Sequence, residues 1–172
     1  MFKSKNKIAV VTLATLSLLA VTAVGFAQRH NLIAAMARPD VKVQLSAAVE
    51  RDSELVPLEK ASVVKPGEVL DWTIVSENSG NAAAHDYKAL ARIPRGTEFI
   101  GGSAKADGAK AVYSIDNGKS FSDKPTVEEK QTDGTVKRVA APVAMYTDIR
   151  YEWSDPLAQG GKVSASYKLR VK

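Results

Sequence analysis

The chain has 172 residues, 45% of them hydrophobic and 25% charged, which is enough for one globular domain and thin for two. It contains no cysteine, so a disulfide framework, a thiolate metal site, a cysteine nucleophile and a lipoprotein-type anchor are all excluded. Of the formal charge of +5, three charges belong to Lys3, Lys5 and Lys7; residues 1–27 hold no acid, so the remainder carries +2, too little for the basic stripe of a nucleic-acid binder.

Met1 to Lys7 is basic, and Ile8 to Ala27 then runs without a charge and ends in small residues. This three-part pattern predicts a secretory signal peptide over 1–27, helical while it lasts. Gly25-Phe26-Ala27 places cleavage after Ala27, with Ala23-Val24-Gly25 and Ala35-Met36-Ala37 as alternatives. An uncleaved anchor is the competing reading, since the apolar stretch is long enough to span a bilayer. In that case the chain touches the membrane only through this segment. Residues 28–40 read as a linker that Pro39 closes. Either way the remainder is expected outside the cytoplasm: periplasmic, at the cell surface or secreted, in a bacterial setting.

From Val41 the period becomes two. Val41, Val43, Leu45, Ala47 and Val49 alternate with Lys42, Gln44, Ser46, Ala48 and Glu50, which predicts a half-buried strand with the first set inward. Pro57 interrupts the chain, and Pro66-Gly67 turns it. Leu70, Trp72 and Ile74 share the next face, with Trp72 the expected core anchor, until Asn78-Ser79-Gly80-Asn81 breaks the strand; Asn78 and Gly80 suit a turn needing positive φ. Tyr87, Ala89, Ala91 and Ile93 form a further strand, followed by a short one over Thr97 to Ile100. Ala111, Tyr113 and Ile115 alternate up to an Asn117-Gly118 hairpin turn. Residues 117–146 are irregular; Asp133-Gly134 between Val127 and Val136 allows a small hairpin, and an exposed flap reads equally well. Ile149, Tyr151 and Trp153 mark one more strand, and Val163 to Val171 the last and most regular. Seven or eight short strands without a helix after residue 40 predict an all-β, antiparallel, Ig-like sandwich over 41–172, with a barrel as rival.

Several short motifs recur in a familiar order: Val64-Lys65-Pro66-Gly67-Glu68, Trp72-Thr73-Ile74, Glu77-Asn78-Ser79-Gly80-Asn81-Ala82-Ala83, Ile93-Pro94, Thr97-Glu98-Phe99, Gly102-Ser103, and Trp153 with Pro156-Leu157-Ala158-Gln159-Gly160-Gly161. Together they resemble the repeat of bacterial and archaeal surface proteins known as domain of unknown function eleven. The resemblance covers roughly residues 41–172 and implies an Ig-like module of an exported or envelope-attached protein. Tandem copies are usual in that family; here one copy stands, with the segment 117–146 inserted. The resemblance implies no catalytic residues.

Chemistry is sparse. His30 lies in the linker, and His85 beside Asp86 forms a dipeptide with no nucleophile elbow to serve. Asp116-Asn117-Gly118-Lys119-Ser120 suggests a calcium loop but lacks alternating oxygen ligands and reads better as a turn. Glu128-Glu129 with Asp133 reads as a solvated charge run, and Gly101-Gly102 and Gly160-Gly161 lack the setting of phosphate loops. Tyr87, Tyr113, Tyr151, Trp72 and Trp153 fall on inward faces and read as packing. The expectation is therefore a non-enzymatic module without metal or cofactor. It would act by structural or protein–protein contact with an envelope or extracellular partner, including self-assembly through edge strands. A carbohydrate- or cation-binding module is the alternative, and a periplasmic hydrolase using His85 a third reading.

Overall fold

The computed structural model describes residues 37–172 except Ser53 and Ser62. The leader, its helix and its cleavage sites lie outside the described residues. Pro39–Lys172 form one compact unit.

Among the described residues eleven strands follow in chain order: β1 Val41–Arg51, β2 Glu54–Pro57, β3 Val69–Asn78, β4 Lys88–Arg92, β5 Thr97–Phe99, β6 Lys105–Ala106, β7 Ala109–Ser114, β8 Thr126–Lys130, β9 Val136–Ala140, β10 Asp148–Trp153 and β11 Lys162–Val171. Every pairing is antiparallel. The larger sheet runs β2-β1-β3-β11-β5, with β6 also on β11; the smaller runs β4-β10-β7; β8 and β9 pair only with each other. No ladder joins the larger sheet to the smaller one among the described residues, so the barrel alternative falls and the arrangement is that of a sandwich.

Alternation sets the core. In the larger sheet Leu70 pairs with Leu169, Trp72 with Tyr167 and Ile74 with Ala165. In the smaller, Ile149 lies between Ala91 and Tyr113, and Tyr151 between Ala89 and Ala111. These inward side chains form one cluster with Val49, Phe99 and Trp153. Burying each large apolar side chain stabilises the fold by about 1.5–3 kcal/mol. Polar tips inside the layer find partners. The Tyr151 hydroxyl donates to the Ser166 carbonyl across the sheets at 2.8 Å, Tyr87 Oη donates to Ser76 Oγ at 2.7 Å, and Trp153 Nε1 donates to Asp107 O at 3.0 Å.

The expected strands all form, and β2 and β6 are added. Both are too short to leave a periodic signal, and β2 ends at the proline that had argued against a strand. The segment 117–146 is more regular than its composition suggested: it contains β8, β9 and a 3-10 turn at Val143–Met145. Asn78 and Gly80 do not take positive φ; that conformation falls instead on Asp52, Asp86, Asn117 and seven other glycines. Trp72 is half-buried, stacked on Tyr167 at 6.3 Å between ring centroids, and flanks the core instead of filling its centre. Val43 and Leu45 point to the same side as buried Val49 yet are 60% and 55% exposed. The larger sheet is wider than the smaller, and the first half of β1 extends past its cover.

Candidate functional site

The feature best suited to contact is the outer edge of β1. β2 lies along that edge only at Ala48–Arg51, and Leu58 N–H continues the ladder to Ala47 O at 2.8 Å. Asp40 O accepts from Ser79 N–H on the opposite, β3 side. Successive residues of a strand point their peptide groups to alternate sides. The N–H and C=O groups of Val41, Val43 and Leu45 therefore point outward, and no described residue pairs with them. Beside them stand the exposed side chains of Val43 and Leu45. An open edge with apolar side chains is a template for another strand.

The residue that fixes this end of β1 is Asn78, fully buried at the end of β3. Its Oδ1 accepts from Asp40 N–H and Gly80 N–H, each at 3.1 Å, and its Nδ2 donates to the carbonyls of Ala82 (2.7 Å) and Leu157 (2.9 Å). Its backbone pairs with the Gly160-Gly161 turn. A Cβ on Gly161 would sit 2.8 Å from Ala158 O, so only glycine fits there. The sequence marked Asn78 as a turn former; its role as a buried hub linking three segments carries no one-dimensional signal.

A second contact feature is the β8–β9 hairpin. Its Val136 is exposed, and Glu128 faces Arg138 across it. Asp133 is its turn residue, accepting from Thr135 N–H and Oγ–H, and these bonds hold its carboxyl below the ordinary range. Glu128, Glu129 and Asp133 are thus spent on a hairpin, and no cluster of three metal-ligating side chains occurs among the described residues.

The remaining nominated residues stay apart. His85 and Asp86 are both exposed in a turn. Asp116 accepts from Ser120 Oγ–H, Ser120 N–H, Ser114 Oγ–H and Lys119 N–H, which together push its carboxyl far below the usual value. Its oxygens are filled by its own loop, and Asn117 and Gly118 supply the positive φ that closes it. The loop folds over the outer face of the smaller sheet, bringing the Phe121 ring 4.0 Å from the Arg150 guanidinium and Gly118 above buried Asp148. One oxygen of Asp148 is 3.4 Å from Arg92 Nε; the other, like Trp72 Nε1, is enclosed without a hydrogen-bond partner among the described residues. Gly101-Gly102 rims a shallow depression with Asp71, Ser103, Lys105, Ser166 and Lys168, where Lys168 is already engaged by Glu50 and Asp71. The Gly-Gly pairs are turns, not phosphate cradles. Tyr87 stacks on Trp153 at 5.6 Å, and Tyr113 packs between Phe99 and Tyr146, so these rings meet each other instead of forming an exposed platform.

No family model matches the chain, and neither a curated protein nor a solved structure is significantly similar to it.

Proposed function

We propose that this chain is an exported, non-catalytic module of a bacterial cell envelope that acts by protein–protein contact. The observation that carries the contact is the unpaired edge at Val41–Leu45 with Val43 and Leu45 exposed beside it. The basic start and uncharged apolar run of residues 1–27 support export. The likeness to the domain-of-unknown-function-eleven repeat supports the same setting.

An Ig-like ancestry belongs to this reading. Lettered in chain order A to G, the seven main strands β1, β3, β4, β5, β7, β10 and β11 stand as A-B-G-D and C-F-E. The constant-type immunoglobulin order is A-B-E-D and C-F-G. Five positions agree, and the fifth and seventh strands have exchanged sheets, so the relation is one of architecture with a changed path.

Fractionation of cells making the full chain, with N-terminal sequencing and chemical cross-linking of the intact envelope, tests the proposal. The chain should appear outside the cytoplasm, begin at Gln28 and join a discrete heavier species. A chain retained in the cytoplasm overturns the export; a chain that never cross-links overturns the contact role.

A further inference from the structure

The open β1 edge also indicates what it pairs with. An added strand must satisfy the outward peptide groups of Val41, Val43 and Leu45. It must also carry apolar side chains on the face of Val43 and Leu45 and polar ones on the face of Lys42 and Gln44. β1 itself has that alternation. If two copies meet antiparallel about a two-fold axis at Val43, then Val43 faces Val43, Val41 faces Leu45 and Lys42 faces Gln44. The three outward residues of each copy then form hydrogen-bonded pairs, six bonds in all by the antiparallel rule. Apolar side chains meet on one face, and no like charges stand opposite on the other.

The six bonds end at Leu45, short of Ala47, whose edge Leu58 already occupies. The outer edge of β4 gives the opposite result. β4 carries exposed Leu90 between Lys88 and Arg92, and self-pairing about Leu90 would set cation against cation. Residues 37–172 carry a net +1 (+5 less Lys3, Lys5, Lys7 and Arg29), so two such copies do not repel strongly.

We propose that this chain self-associates through antiparallel β1–β1 pairing centred on Val43, merging two larger sheets into one continuous sheet. This rests on the contact role above and names its partner as a second copy. The pairing is isologous and closes at two copies.

The absence of native cysteine makes the test direct. In this register Lys42 and Gln44 of different copies form a non-hydrogen-bonded pair with Cα atoms about 4.5 Å apart, while like residues stand roughly 8 Å apart. Full-length Lys42→Cys and Gln44→Cys chains, purified in mild detergent, are oxidised separately and as a mixture. The mixture should yield about tenfold more covalent dimer than either chain alone, since disulfides do not span Cα atoms much beyond about 7 Å. Association through the leader alone would give no such difference. Val43→Lys added to both chains should abolish the excess while leaving the circular dichroism of the folded domain unchanged, because Val43 is exposed. Equal dimer in all three samples, dimer absent from the mixture, or an equal yield from a Leu90→Cys chain overturns the pairing. The contact role then survives only if envelope cross-linking recovers a different protein.

Discussion

Asn78 shows how much one side chain decides. Its amide closes four hydrogen bonds in a fully buried position, holding the start of β1, the 80–82 turn and the Leu157 segment together. Removing it strands several buried peptide groups, each costly when unpaired. Asn78→Ala is expected to lower stability by about 3 kcal/mol, measured by urea denaturation at constant slope. Asp116 gives a prediction of the opposite kind, about pH. Hydrogen bonds from Ser120, Ser114 and Lys119 hold its folded-state carboxyl below its unfolded value. The contribution is complete above the unfolded value, near pH 4, and is lost as pH falls toward the folded one. The difference in melting temperature between the parent and Asp116→Asn should therefore be constant from pH 7 to about pH 5 and shrink below pH 4. A difference that grows on acidification would contradict the assignment.

At the scale of elements, the β8–β9 hairpin stands apart from both sheets. Its ends are already joined, since Ala141 N–H donates to Pro125 O at 2.9 Å. Replacing Thr126–Ala140 by an Asn-Gly turn should change unfolding free energy by no more than about 1 kcal/mol, because no core contact is removed and the shorter loop closes at lower entropic cost. A large loss would mean that the arm supports the sandwich. The hairpin was legible in Asp133-Gly134 and its flanking valines, since turn chemistry is local. β2 was not legible: four residues ending in proline make a strand only because β1 offers them an edge.

At the scale of the molecule, the two layers are tied by buried phenols. Burial raises the Tyr151 hydroxyl above its ordinary range, with Tyr167 adding to it, and burial pushes Tyr167 up to about 12. The folded chain keeps protons that the unfolded chain releases near pH 10. Stability should therefore be full below pH 10 and fall as pH rises from there through about 12. Denaturant midpoints at increasing pH should show this decline, and Tyr167→Phe should flatten it.

The positions of the seven main strands, the inward identity of Leu70, Ile74, Tyr151 and Leu169, and the antiparallel class were determined by sequence alone, because pleat alternation and turn chemistry are local properties written residue by residue. Sequence could not distinguish buried Val49 from exposed Val43 and Leu45, which share one alternating pattern on one strand. Only the tertiary structure decided that. Exposure depends on how far the opposing three-stranded sheet reaches, and edge availability depends on where β2 stops; both are relations between segments distant along the chain.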